Sequence, residues 1–293
     1  MARRCWPHCN RGACLLVGFG LKTGLAGAYK TGPALVGGSA GRDKILTQVP
    51  DPYLHHPALR GKIADPLTSF FRDFKPSDLD ARMKALGRPD NWRHSDEELE
   101  AARLSFLKGR LDSDLWIFAY GSLMWDPAFH FAEVRRARVE GYARRFILKD
   151  TFGPRGTQET PGLMAALDEG PGCDGLAFRI AAQEAKLESG IFWRRELIAY
   201  SYKPVIARVE TEFGPLDALT VIADRTSDFI RPDLTREEQV RYIATGKGFL
   251  GTSLKYVENI AEHFAALGIK DSEVTGLLKD ARAFAAAQNV PGG

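Results

Sequence analysis

Leu115-Trp116-Ile117-Phe118-Ala119-Tyr120-Gly121-Ser122-Leu123-Met124-Trp125-Asp126-Pro127 is the stretch on which the reading of the chain turns. Its first six residues are apolar or aromatic without interruption, which predicts a strand buried on both faces. Gly121 ends that run, and the small and apolar residues after it exclude a regular continuation. Glycine at a strand end lets the backbone approach a ligand, and consecutive amides in a turn can face one anionic oxygen. A donor nest and a plain strand-to-turn junction both fit these residues. Tyr-Gly-Ser is not a serine-hydrolase elbow, which needs glycine on both sides of the serine. It is not a phosphate loop either, because the lysine and following Ser/Thr are missing.

Outward from this stretch, strand-like runs follow at 132–140, 144–149, 163–167 and 175–180. Val205–Glu210 and Leu216–Ala223 flank Phe213-Gly214-Pro215 and predict a hairpin. A helical stretch from Gln183 to about Ala199 lies between, with Gly190 as a weak point. Thr235 to Glu238 forms a capping box, Leu254–Leu267 is a helix ended by Gly268, and another helix begins at Ser272. Several closely spaced strands with helices gathered at one end predict an α+β fold. Its centre is a small, mostly antiparallel β-barrel with peripheral helices.

Upstream the chain changes character twice. Residues 1–50 are rich in glycine, lack a helical or strand period, and are expected to be a disordered extension. Residues 51–112 carry helical signals at Ser77–Asp80 and at the capping box Ser95–Glu98, so a helical extension packing on the main domain is expected there. Residues 113–293 form the expected catalytic domain. The apolar stretch Ala13–Tyr29 follows Arg3 and Arg4 but is broken by Lys22, which reads as a flexible extension, with a cleaved leader as the alternative. No run approaches the roughly 20 apolar residues of a membrane helix.

A net charge of +3, from 40 basic and 37 acidic residues, argues against a nucleic-acid binder. Cys5, His8, Cys9 and Cys14 could be zinc ligands, but their spacing fits no standard knuckle and a second ligand pair is missing. No metal or other cofactor is therefore expected. Four cysteines in 293 residues do not make a disulfide scaffold, so reduced thiols and a cytoplasmic location are expected. Cys173 reads as a core residue.

The second unusual segment is Ile191-Phe192-Trp193-Arg194-Arg195-Glu196-Leu197. One carboxylate among large apolar groups can point into a pocket, where desolvation raises its pKa and a nearby arginine lowers it. A glutamate tuned in that way can act as base and then as acid. A surface glutamate in a helix ion pair fits the same residues.

In their order, these segments resemble the ChaC-like γ-glutamylcyclotransferases, the glutathione-specific branch of that superfamily. The signposts are Tyr120-Gly121-Ser122-Leu123-Met124-Trp125, Gly141-Tyr142-Ala143-Arg144-Arg145-Phe146 and Arg155-Gly156-Thr157. Further along come Pro161-Gly162-Leu163, Trp193-Arg194-Arg195-Glu196, Tyr202-Lys203-Pro204 and Gly248-Phe249-Leu250-Gly251-Thr252-Ser253. The resemblance implies a cofactor-independent lyase that cyclises the γ-glutamyl group of glutathione to 5-oxoproline and releases Cys-Gly. It places the γ-glutamyl moiety in the loop Tyr120, Gly121, Ser122, Leu123 and Met124, with Glu196 as the general acid/base. Tyr202 and Arg155 are supporting candidates outside the catalytic set: a hydroxyl or a core tyrosine, and a carboxylate contact or an exposed loop arginine. Two departures are the segment Asp150–Pro154, often more polar or histidine-rich in relatives, and the long amino-terminal part. The alternatives are a cyclotransferase for other γ-glutamyl amines or amino acids, and a non-catalytic γ-glutamyl-binding module.

Overall fold

The computed structural model describes residues 51–288. The stretch 1–50, with its expected disorder and the Cys5, His8, Cys9 and Cys14 grouping, lies outside the described residues, as do residues 289–293.

The apolar run forms β1 (Leu115–Ala119), in which only Trp116 is not fully buried. It pairs antiparallel with β5 (Cys173–Ile180), Phe118 opposite Ala177. β5 pairs with β2 (Glu133–Val139), β2 with β6 (Tyr202–Thr211), and β6 with β7 (Gly214–Ala223), all antiparallel. A single parallel contact, Ile117 opposite Leu219, returns β7 to β1 and closes a five-stranded barrel. Closure leaves no free edge in this sheet. Ile117, Phe118, Leu176, Phe178 and Leu219 are completely buried and form its core. Side-chain period explains the rest of the pattern. On β6, Ala207 and Val209 point inward while Arg208 and Glu210 are exposed.

β3 (Tyr142–Asp150) and β4 (Gly162–Glu169) make a separate antiparallel ribbon, bulged between Phe146 and Leu148. β4 lies beside β7 and under two helices, α4 (Arg236–Thr245) and α5 (Ser253–Ala266). α6 (Ser272–Gln288) packs on both of those helices. Thr235 and Glu238 make the expected reciprocal cap of α4, at 3.3 and 2.9 Å. Gly268, with φ 64°, follows the end of α5.

Three details differ from the sequence reading. The β6–β7 turn is Glu212-Phe213, because Thr211 pairs with Gly214 and Pro215 already belongs to β7. A two-residue ribbon, β8 (Lys247–Gly248) with β9 (Gly251–Thr252), was not expected from the pattern. Gly190 does not interrupt α3 (Ala182–Glu196), which continues through it. The missing side chain leaves a surface on which Arg103 and Arg194 lie, 4.0 and 3.7 Å from where its Cβ would be.

Residues 51–112 contain two helices, α1 (Asp80–Ala85) and α2 (Asp96–Phe106). Ser95 Oγ accepts from Glu98 N at 3.1 Å and Glu98 Oε2 accepts from Ser95 N at 2.8 Å, the reciprocal cap that starts α2. This segment is held by buried polar bonds. Arg72 donates both guanidinium nitrogens to Glu188 of α3, at 2.7 and 2.9 Å, and a third bond to the Ala128 carbonyl at 3.1 Å. Glu188 is 1% exposed and also accepts from the His130 amide at 2.8 Å. Arg103 donates to Ser189 Oγ at 2.8 Å, and Ala64 N donates to the Trp125 carbonyl at 2.8 Å.

Removing one partner of a buried pair leaves an uncompensated charge. Arg72→Ala is therefore expected to cost about 3–5 kcal/mol in a urea unfolding titration. Arg72→Met combined with Glu188→Met recovers part of that loss, because the stranded carboxylate is gone; equal instability of both variants would contradict this account.

Candidate active site

β1 delivers Tyr120 to the end of the barrel, and the chain then tightens into a 3-10 turn over Ser122–Met124. Trp125 N donates to the Ser122 carbonyl at 3.2 Å and Asp126 N to the same oxygen at 3.0 Å. The turn is held from below by Arg144 of β3, 2% exposed at its side chain. Its Nε donates to the Tyr120 carbonyl at 2.7 Å, Nη2 bonds the Asp174 carbonyl, and Nη1 meets Asp271 at 3.0 Å. The Gly141–Phe146 signpost is thus a support for the loop and not a contact of the cleft.

Opposite the loop, α3 ends at Glu196, whose carboxyl enters a cleft of about 300 Å³. Tyr120, Gly121, Ser122 and Leu123 line this cleft together with Glu196, and so do Tyr202 and Arg155. Met124 does not: it is completely buried and packs in the core behind the turn. Arg155 is 9% exposed, so the exposed-loop alternative for it is wrong. Its Nη1 donates to the Leu250 carbonyl at 2.6 Å, and its guanidinium lies 5.7 Å from the Tyr256 ring.

The Glu196 side chain is 15% exposed, and burial pushes its carboxyl above the usual glutamate range. Arg195 opposes that rise from 3.0 Å, and the Asp126 carboxylate adds to it. Arg195 does more than pair. Its Nη2 donates to Ser122 Oγ at 2.9 Å, its Nη1 bonds the Asp126 carbonyl, and its guanidinium stacks 4.2 Å from the Phe71 ring. One cation therefore joins the loop, the helix end and the amino-terminal segment.

Three phenols line the cleft with the carboxyl. Tyr202 Oη donates to the Ala165 carbonyl at 3.2 Å, and Tyr256 Oη accepts from Ala165 N at 3.3 Å. Burial raises the Tyr120 and Tyr202 hydroxyls well above the ordinary range, and pushes Tyr256 up to about 12. All three therefore stay protonated at neutral pH; Tyr202 donates its O–H to the Ala165 carbonyl, and Tyr120 and Tyr256 can donate hydrogen bonds where negative charge develops.

Tyr256, Arg195 as a clamp, and Phe71 were not anticipated from sequence. Tyr256 sits on the apolar face of α5 with Val257, Ile260 and Phe264, so only its hydroxyl hinted at a site. The loop Asp150–Pro154 also has a structural reason. The Asp150 carboxylate accepts from the amides of Phe152, Gly153, Arg155 and Gly156, which folds the chain into a tight turn beside the cleft. Gly248 packs against that turn; a Cβ there would lie 2.3 Å from the Pro154 carbonyl carbon. Cys173 is buried off the cleft, and burial raises its thiol. Among the described residues no three His, Cys, Asp or Glu side chains are grouped to hold a metal.

Gly121 is required by close approach. A Cβ there would stand 2.6 Å from Tyr256 Oη, closer than any real contact allows. Gly121→Ala is expected to displace the phenol and lower turnover of a cleft substrate by about 10²-fold, the scale of one misplaced polar contact. Combining it with Tyr256→Phe, which removes the clashing oxygen, adds little further loss; strict multiplication of the two single effects would refute the clash.

Comparison with known proteins adds family and fold. A family profile described as ChaC-like protein matches residues 115–283. A glutathione-specific γ-glutamylcyclotransferase of Escherichia coli is 33% identical over 201 residues, covering 68% of this chain and 86% of the relative. Glutathione-specific γ-glutamylcyclotransferase 1 of Homo sapiens is 31% identical over 159 residues, covering 53% and 71%. The crystal structure of a yeast γ-glutamyl cyclotransferase specific to glutathione superposes with TM-score 0.54 at 20% identity, over 59% of this chain and 97% of that one. It shows the same fold. With its profile match across the barrel, the cleft and the helices behind them, the chain belongs to the ChaC-like family.

Proposed function

We propose that the chain cleaves glutathione by cyclising its γ-glutamyl group to 5-oxoproline and releasing Cys-Gly, with Glu196 carrying the proton. The observation that supports this most directly is a desolvated carboxyl at the end of α3, facing a glycine turn across a narrow cleft. The Escherichia coli and human relatives are named for the same substrate.

The substrate holds both reacting groups. Its α-amine attacks its own γ-carbonyl, so keeping the glutamyl chain folded in the cleft supplies much of the acceleration. The turn Tyr120–Leu123 and Arg155 form the binding walls, Arg155 offering its charge to the glutamyl carboxylate. An α-amine has a reference pKa near 8, so part of it must lose a proton before attack. Glu196 takes a proton from the attacking nitrogen and returns one to the departing amide nitrogen. The developing oxyanion is met by loop amides at Gly121 to Leu123 and by the protonated Tyr120 and Tyr256 phenols. Arg195 orients Glu196 and keeps its pKa from rising further. Met124 acts from behind, by packing.

We further propose that residues 113–293 are the catalytic unit and that residues 51–112 complete its cleft. Among the described residues no helix is long and apolar enough to cross a membrane; a cytoplasmic location belongs to the proposal.

Purified protein given reduced glutathione is expected to yield 5-oxoproline and Cys-Gly in equal amounts. Glu196→Gln lowers kcat by about 10²–10⁴-fold with little change in KM, the range for a lost acid/base. Turnover of γ-glutamyl amino acids without glutathione moves the substrate and leaves the residue. Binding without product by the wild type defeats the enzymatic reading.

The ionised form of Glu196 is the base, so kcat rises with pH through its elevated pKa. Arg195 lowers that pKa, so Arg195→Gln shifts the acid limb of kcat to higher pH. A limb that stays in place or moves down in the pH–rate profile would show that Glu196 is not the titrating group.

A further inference from the structure

A second compartment, of about 200 Å³, opens on the other side of Glu196. It shares eight lining residues with the cleft, Glu196, Arg195, Tyr202 and Phe71 among them, so the two are continuous at the carboxyl. Its far wall comes from the amino-terminal segment: Phe74, Leu79, Met83 and Trp92. None of these lies within the matched family region 115–283. Phe152, Phe229 and Phe249 close the remaining sides. Phe74 and Met83 are buried, and Trp92 is fixed by its Nε1 bond to Asp80 Oδ1 at 3.0 Å. The wall is therefore built, not a chance gap between loose loops.

Its chemistry suits only the terminal carboxylate of the leaving unit of the proposed reaction, through Arg88, and not its amide or amine. Cys-Gly carries an amide, a carboxylate and a nascent amine, and burying such groups without partners is unfavourable. An aromatic wall offers few partners. The Asp150 carboxylate, which also borders the compartment, is occupied by four backbone amides. Arg88 stands at the rim, stacked 4.9 Å from the Phe152 ring and 4.8 Å from the Phe229 ring. A cation at that position suits the terminal carboxylate of a leaving unit whose middle carries something apolar. The cysteine sulfur is where an apolar group can be attached without altering the amine, the γ-carbonyl or the scissile amide.

We propose that this compartment is a subsite for an apolar substituent on the cysteine sulfur, so that thioether conjugates of glutathione are substrates alongside glutathione itself. The inference rests on the glutathione reading above. The bonds made and broken are the same: the α-amine nitrogen joins the γ-carbonyl carbon, the amide C–N bond breaks, and Glu196 relays one proton. The thioether leaves intact on the released dipeptide. Each methylene of the substituent buried against this wall improves binding by roughly fourfold.

The test uses the full chain with glutathione and S-benzylglutathione as parallel substrates, each scored for 5-oxoproline. S-Benzylglutathione is expected to be turned over with a KM at least about tenfold below that of glutathione. Leu79 lines the apolar compartment and not the catalytic cleft. Leu79→Trp, which fills the compartment, and Leu79→Asp, which places a charge in it, are each expected to raise KM for the conjugate about tenfold. KM for glutathione stays within about twofold, which also reports that the variants are folded. Turnover of glutathione without turnover of the conjugate overturns the subsite, as does a conjugate KM that neither variant changes. Failure of both substrates in the wild type overturns the glutathione reading itself, and the subsite falls with it.

Discussion

The Arg195 guanidinium is the point on which the site depends. A buried cation is tolerated only when its donors are used and its charge is answered. Here Ser122 Oγ, the Asp126 carbonyl and the Glu196 carboxylate take the donors, and the Phe71 ring covers the open face. The partners come from three parts of the chain: the turn after β1, the end of α3, and the segment before the barrel. The geometry of the loop and the protonation of Glu196 are therefore tied to one interaction. So is the seating of Phe71, which borders both the cleft and the apolar compartment.

Around that cation the fold works as a set of backbone supports. Arg144 holds the Tyr120 carbonyl, Thr220 donates to the Phe118 carbonyl at 3.0 Å, and Ser253 Oγ accepts from Leu163 N at 2.9 Å. These buried side chains bond main chain, which fixes the positions of strands and turns rather than of side chains. Closure of the barrel by Ile117 and Leu219 gives β1 a rigid course to its end, where the Gly121 turn begins. Preorganisation of that kind is what a cyclisation within one flexible substrate requires.

The amino-terminal segment is more than a cover. Its Arg72–Glu188 and Arg103–Ser189 bonds fasten it to α3, the helix that ends in Glu196. Its Ala64 amide supports the Trp125 carbonyl just past the loop. Stability of the segment and geometry of the cleft are for this reason coupled.

Most elements follow from local signals in the sequence, the β8–β9 ribbon excepted. The unbroken apolar run at 115–120 reads as a buried strand, the capping residues Ser95, Thr235 and Gly268 set helix limits, and the ordered signposts from Tyr120 to Ser253 point to the family that the profile match shows. These signals are local: they follow from side-chain period, from capping chemistry and from short motifs. Which elements meet is set by long-range packing. No pattern said that β3 and β4 stand outside the barrel, because a strand buried against helices reads like one buried in a barrel. Glu196 could equally have been a surface ion-pair residue; it is brought into a cleft that Phe71 and Leu250, both distant in sequence, also line. Tyr256 looked like helix core, and Met124 like part of the loop's binding face, because sequence fixes spacing along a chain but not which side of a turn faces a cavity. Long-range packing alone assigns that side, and with it the pKa of the carboxyl on which the proposed chemistry rests.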